Sequence, residues 1–191
     1  MKICLYGASS NEIDPKYIAA VERLGYALGK RGHTLLFGGG AQGLMGAAAR
    51  GCKDGGGRII GVAPSFFNVD GILYPHCDSF IYTETMRERK QILEDRADGF
   101  VTVPGGIGTF DEFFEILTLK QLGRHAKPIA LFNVEGYFDP LLALLENSIE
   151  KGFLKAACRS LWSCFDDPDA LLDRLEHEEN DPVDVRRMKN I

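Results

Sequence analysis

Short apolar runs recur along the whole chain, each followed by a helical pattern, and this alternation is the strongest constraint on its fold. The runs are residues 3–6, 34–37, 59–62, 80–82, 99–103, 128–132 and, more weakly, 161–165. Most are continuous rather than alternating, the pattern of strands covered on both faces. Between them, residues 14–30 carry a helical stripe at Tyr17, Ala20, Val21, Leu24, Ala27 and Leu28, with Asp14 as cap and Pro15 in the first turn. Residues 44–52 read as a small-residue helix, thin enough to lie close to a sheet. Residues 86–97, 109–122, 140–151 and 168–177 complete the helical set. The alternation predicts an α/β fold: a doubly wound, mostly parallel sheet of about seven strands with helices on both faces. Ligands of such sheets bind at the carboxyl ends of strands, where strand order reverses. The informative residues should therefore follow strands.

Length and charge narrow the partners. The 191 residues suit one domain over residues 1–178, followed by a charged, solvated tail over residues 179–191. Lys and Arg number 22 against 27 Asp and Glu, a net charge of −5. An acidic chain lacks the basic footprint that a nucleic acid polymer requires, although a small anion can still be held by local amides and cations. The five cysteines form no CxxC pair, which fits a reducing compartment. The four histidines form no HxxxH, which argues against a zinc site. The apolar part of the N-terminus is too short for a signal peptide, and no apolar stretch reaches transmembrane length. These features predict a soluble cytoplasmic protein with no membrane partner.

Three strands run into small residues: Gly7-Ala8-Ser9-Ser10 after the first, Gly38-Gly39-Gly40-Ala41-Gln42-Gly43-Leu44-Met45-Gly46 after the second, and Pro104-Gly105-Gly106-Ile107-Gly108-Thr109-Phe110-Asp111-Glu112 after the fifth. Glycines permit positive φ and let backbone N–H groups approach a phosphate, and a following helix adds orphan N–H groups with a positive dipole end. One isolated glycine turn is most simply a tight connection, but two dense ones after two strands favour anion binding. Neither is a Walker A loop, and neither is a dinucleotide fingerprint in its usual place. Thr109 and Glu112 also have the spacing of a capping box, so Glu112 has two readings, a cap or a carboxylate in the site. Asp111 reads as a partner of the helix dipole. Two carboxylates facing a phosphate would repel it, so at most one should point inward.

A second cluster, Met86-Arg87-Glu88-Arg89-Lys90, follows the fourth strand. Cations at a helix start are disfavoured by the dipole, so they are either a solvated face or placed there for an anion. Arg suits bidentate phosphate or carboxylate binding, and Lys acts as a point charge.

These segments together resemble the Lonely Guy (LOG) family. Residues 104–112 are similar to its PGGxGTxxE motif, residues 86–90 to its MxxRK, and Gly38-Gly39-Gly40 with Gly43-Leu44-Met45-Gly46 to its GGGxxGLMG turn. Gln121-Leu122-Gly123, Lys127-Pro128 and Asn133-Val134-Glu135-Gly136-Tyr137 extend the likeness, which spans roughly residues 2–155. The resemblance implies a Rossmann-like nucleotide-binding fold, a homodimer, and cleavage of cytokinin riboside 5′-monophosphate, with AMP as a further substrate, to free base and ribose 5-phosphate. It implies that Arg89 and Glu112 are catalytic. It places Lys90, Gly105, Gly106, Ile107, Gly108, Thr109 and Thr118 at the nucleotide, together with Ser9, Gly39 and Met86, and Asp70 is a further candidate contact. The chain departs from the family where members carry an acidic substrate contact. Gly71 stands there, with Asp70 beside it, which leaves the preference for a cytokinin open. Residues 65–79 differ as well.

The mechanism expected is glycoside-like. The 105–109 loop holds the 5′-phosphate, and Glu112 stabilises an oxocarbenium-like transition state and activates water. Arg89 balances the charge that builds as the bond breaks. No metal or organic cofactor is called for. One rival is a carrier that binds a nucleotide or the molybdenum cofactor without cleaving it. The other is a pyridoxal-phosphate decarboxylase, for which Lys90 is the only obvious Schiff-base lysine. Phe110, Phe113, Phe114, Leu117 and Leu122 are many large apolar groups for one sheet-facing helix stripe, so the surplus is either core or an interface.

Overall fold

The computed structural model describes residues 1–69, 71–178 and 182–189. Asp70, a candidate contact, lies outside the described residues. Seven strands form one sheet: β1 (Lys2–Tyr6), β2 (Thr34–Phe37), β3 (Arg58–Pro64), β4 (Ser79–Thr83), β5 (Gly99–Thr102), β6 (Ile129–Phe132) and β7 (Ser163–Phe165). Their spatial order is β4-β3-β2-β1-β5-β6-β7, and every pairing is parallel. The helices are α1 (Pro15–Lys30), α2 (Gly43–Asp54), α3 (Met86–Arg96), α4 (Ile107–Gln121), α5 (Asp139–Glu150), α6 (Pro168–His177) and the short α7 (Val185–Met188).

Residues alternate between two cores, as a sheet covered on both sides requires. Ile3 and Leu5 face one core with Val21 and Leu24 of α1, Ala47 of α2 and Leu171 of α6. Cys4 and Tyr6 face the other with Leu93 of α3 and with Phe113 and Ile116 of α4. The small residues of α2 serve its contact with α1 as well as with the sheet: a Cβ at Gly51 would collide with the Glu22 carbonyl. α1 starts as expected, with the Asp14 carboxylate accepting from Lys16 N at 3.0 Å.

Winding reverses between β1 and β5, and a crevice of about 330 Å³ lies beside the turns after these two strands, bordered by Ala8, Tyr17, Gly105 and Tyr137. A larger depression of about 860 Å³, between α1 and the ends of β6 and β7, contains none of the candidate residues.

Two expectations change. Leu161 belongs to a 3-10 turn, Ala156–Leu161, rather than to β7. The C-terminal segment is not wholly solvated: residues 182–189 fold back, Met188 is buried, and Gln121 Nε2 donates to Met188 O at 3.3 Å. None of the described helices is long and apolar enough to cross a membrane.

Candidate active site

The three glycine-rich turns do different work. The Ala8 carbonyl accepts from Leu44 N at 2.9 Å and Met45 N at 3.3 Å, and Asn11 Oδ1 accepts from Gly43 N at 2.8 Å. The N-terminus of α2 is thus occupied by the turn after β1. Ala8 N donates to Pro104 O at 3.1 Å, which ties the β1 turn to the β5 turn. The N-terminus of α4 is open. Its cap is Gly106, which has no side chain to offer, and the amides of Ile107, Gly108 and Thr109 have no acceptor among the described residues. Three uncommitted N–H groups at the positive end of a 15-residue helix suit an anion.

Positive φ is not the reason for the glycines here, contrary to expectation: none of Gly105, Gly106 and Gly108 has it. Gly105 lies against the Thr109 side chain, where a Cβ would collide. Gly106 and Gly108 have nothing within 4 Å of where a Cβ would stand, so their lack of one keeps the amide face open. The left-handed glycine is Gly39 on the β2 turn, at φ 79°, packed over the Phe80 ring.

Of the two readings of Glu112, the capping box with Thr109 does not form. α4 begins two residues before the predicted start, so Thr109 is its third residue, and Glu112 turns to α3 instead. Glu112 Oε1 accepts from Arg89 Nη1 at 2.7 Å, with side chains only 12% and 8% exposed. A capping box forms at the start of α3. Thr85 Oγ1 accepts from Glu88 N at 3.2 Å, and Glu88 Oε2 accepts from Thr85 N at 3.3 Å. Glu88 thereby satisfies the helix end and leaves Arg89 to face inward. The signal was present as Thr85-x-x-Glu88.

Arg89 is a buried cation near a positive helix end, an arrangement that needs a strong anionic partner. Glu112 supplies it. The guanidinium packs against the end of β2, where a Cβ at Gly38 would strike Nη2. Its other N–H groups have no acceptor among the described residues, which leaves donors for a ligand. Burial pushes the Glu112 carboxyl above the usual carboxylate range, and the charge and hydrogen bond of Arg89 pull it back down. Sequence reasoning overlooked the floor of the site. Tyr6 and Thr102 are register partners at the ends of β1 and β5, and the Thr102 hydroxyl is buried with no partner among the described residues.

Lys90 points to the flank of α4, where Nζ pairs with Glu115 at 2.8 Å and Asp111 at 3.1 Å. The hydrogen bond to Glu115, then the one to Asp111, raises its pKa. Asp111 is 60% exposed, so one carboxylate of the pair faces in and the other out. Met86 and Ile107 stand exposed, as does Ser9 on the β1 turn. Thr118 is not brought to this place within one chain. Six residues beyond Glu112, it lies roughly 9 Å along the axis and about 240° around it. It borders a small cavity of about 110 Å³ with Leu154, Cys158 and Trp162.

Comparisons with known proteins bear on this geometry. A family model described as "possible lysine decarboxylase" matches residues 45–175. The probable cytokinin riboside 5′-monophosphate phosphoribohydrolase LOG4 of Oryza sativa subsp. japonica is 37% identical, over 91% of this chain and 75% of its own. The cytokinin riboside 5′-monophosphate phosphoribohydrolase LOG2 of Arabidopsis thaliana is 34% identical, over 92% and 82%. Among solved structures, the molybdenum cofactor carrier protein of Chlamydomonas reinhardtii superposes with a TM-score of 0.69 at 25% identity, covering 92% of this chain and 96% of that one. The molybdenum cofactor binding protein of Rippkaea orientalis gives 0.67 at 22%, covering 92% and 95%, a likeness of fold. The family match over most of the chain, the relatives above 30% identity and the meeting of residues 86–90 with residues 104–112 agree: this chain belongs to the Lonely Guy (LOG) family.

Proposed function

We propose that this chain hydrolyses the N-glycosidic bond of a nucleoside 5′-monophosphate, cytokinin riboside 5′-monophosphate or AMP, to free base and ribose 5-phosphate. One observation carries the reading: the buried Arg89–Glu112 pair stands beside a helix end whose amides are uncommitted. The names of the plant relatives support it. The amides from Gly106 to Thr109 bind the phosphate, and Gly105 shapes the loop. Glu112 faces the ribose. The oxygen of a water bonds to C1′, and the C1′–N bond breaks with its electron pair going to the base. The proton released by the water passes through Glu112 and ends on the base. Arg89 stabilises the charge that develops. Ser9, Gly39 and Met86 border the sugar and base, and Lys90 acts from one step behind by bracing α3 to α4. The enzyme works as a single nucleotide-binding domain in the cytoplasm.

Incubation of the purified protein with AMP, followed by chromatography for adenine, tests this. Adenine and ribose 5-phosphate in equal amounts are expected. Bound AMP recovered intact would instead mark a carrier. The decarboxylase reading fares worse: the Lys90 ammonium is held by two carboxylates that favour its charged form, whereas a Schiff base needs the free amine.

The same reading includes a homodimer. Thr118 reaches a nucleotide only from a second copy, and its neighbours on α4 and beyond leave Phe114, Leu144 and Phe153 exposed. Sedimentation equilibrium at micromolar concentration should give twice the chain mass; a monomer there removes both the dimer and the role of Thr118.

A further inference from the structure

The segment Asn133-Val134-Glu135-Gly136-Tyr137 has no part in the mechanism above, yet it is built with unusual care. It follows β6, the strand beside β5. Glu135 is left-handed at φ 53°, the only described residue other than glycine to be so, and Gly136 follows at 70°. A non-glycine residue in this region costs roughly 1 kcal/mol or more and persists only where its surroundings hold it. Two contacts hold it here. Asn133 Oδ1 accepts from Phe138 N at 2.6 Å, and Asn133 Nδ2 donates to Asp139 Oδ1 at 2.8 Å. Glu135 also accepts from Lys16 Nζ on α1 at 3.2 Å.

The product of this tight turn is the placement of one side chain. The Tyr137 hydroxyl donates to the Gly105 carbonyl at 2.6 Å. Its ring meets that of Tyr17 edge-on, at 6.2 Å between centroids, and that of Phe138 at 5.1 Å. In a trans peptide the C=O and the N–H point in opposite directions. Fixing the Gly105 carbonyl toward Tyr137 therefore fixes the Gly106 N–H away from it, and that N–H has no acceptor among the described residues. A glycine-glycine peptide is otherwise the one in this loop most free to rotate.

We propose that Tyr137 is a positioning residue for phosphate binding: its hydroxyl locks the Gly105–Gly106 peptide so that the Gly106 amide joins those of Ile107 to Thr109 in facing the 5′-phosphate. The inference rests on the functional reading above. It assigns the β6 turn to substrate binding, through a residue that touches the loop rather than the ligand.

Tyr137→Phe removes the hydroxyl and keeps the ring. KM for AMP should rise roughly five- to tenfold, the effect of one hydrogen bond, with kcat within about twofold. Ribose 5-phosphate should weaken as a competitor by the same factor. Tyr26→Phe, which takes an exposed hydroxyl from α1 away from the crevice, should match the wild type. Asn133→Ala, which loosens the turn that carries Tyr137, should reproduce the KM effect. It serves as the second variant if Tyr137→Phe folds poorly. A purely structural tie would lower the melting temperature and leave KM unmoved, and that result overturns the proposal. The two readings fail separately. Adenine release by the wild type with an unchanged KM in Tyr137→Phe discards the positioning role alone. A wild type that binds neither AMP nor ribose 5-phosphate in a calorimetric titration discards the phosphate loop and Tyr137 together.

Discussion

Glu112→Gln should lower the rate of ribose 5-phosphate release from AMP by roughly 10³-fold, within the range a positioned proton-transfer group supplies, while AMP still binds. The amide keeps the shape of the carboxylate and one oxygen to accept from Arg89 Nη1, so the buried contact at 2.7 Å survives the change. What is lost is the negative charge that the proposed mechanism places under the sugar, and the capacity to take a proton. The pH profile is a second readout. Burial holds the Glu112 carboxyl above the ordinary range, and in the mechanism proposed the ionised form is the working one. The acid limb of the kcat profile should therefore lie higher than a solvent-exposed carboxylate would place it. In Glu112→Gln that limb should vanish from whatever rate remains. Stopped assays at saturating AMP, paired with calorimetric titration of AMP into the variant, separate turnover from binding. Turnover at the wild-type rate would remove Glu112 from the chemistry.

Arg89→Ala acts on both activity and stability. Among the described residues its guanidinium is the only hydrogen-bond or ion-pair partner of the Glu112 carboxylate, and it is itself buried, so its removal leaves a charge in a poorly solvated place. Breaking such a pair from one side costs about 3–5 kcal/mol in other proteins. The sign of the pH dependence follows from the direction of the shift. Arg89 is what lowers the Glu112 pKa against burial, so in the variant that pKa rises further. A raised acid contributes stability while it is neutral, at low pH, and loses that contribution as pH rises through its folded value. Arg89→Ala should therefore be destabilised more at neutral pH than in mild acid, and the acid limb of its residual activity should move upward. Thermal melts across pH read the first effect. Urea melts of the double variant Arg89→Ala/Glu112→Ala give the coupling, and its loss should be clearly smaller than the sum of the two single losses, because the second substitution removes the stranded charge. Additive losses would mean that the pair is not energetically joined.

Much of this arrangement follows from local sequence. Continuous apolar runs cannot face water on either side, so they demanded a covered parallel sheet, and the helical stripe after Asp14 marked α1 together with its cap. Residues 86–90 and 104–112 stood out because cations at a helix start and glycines after a strand both ask for an explanation. Their spacing in the chain did not reveal that they touch. The capping reading of Thr109 and Glu112 was a sound local inference and lost to a tertiary one: α4 begins earlier, at Ile107, and a buried guanidinium on another helix outbids the backbone for the same carboxylate.

Local sequence by itself determined the class of fold, the strand ends that such a sheet offers a ligand, and that residues 86–90 and 104–112 need an explanation beyond the fold. All three depend on the burial of side chains near in sequence. Only the tertiary structure decided which glycine turn has amides to spare, that Arg89 and Glu112 form one buried pair, that Lys90 braces helices, and that Tyr137 reaches across to Gly105. Each of these depends on which strands are neighbours, and the reversal of winding between β1 and β5 brings together groups 20 to 100 residues apart along the chain.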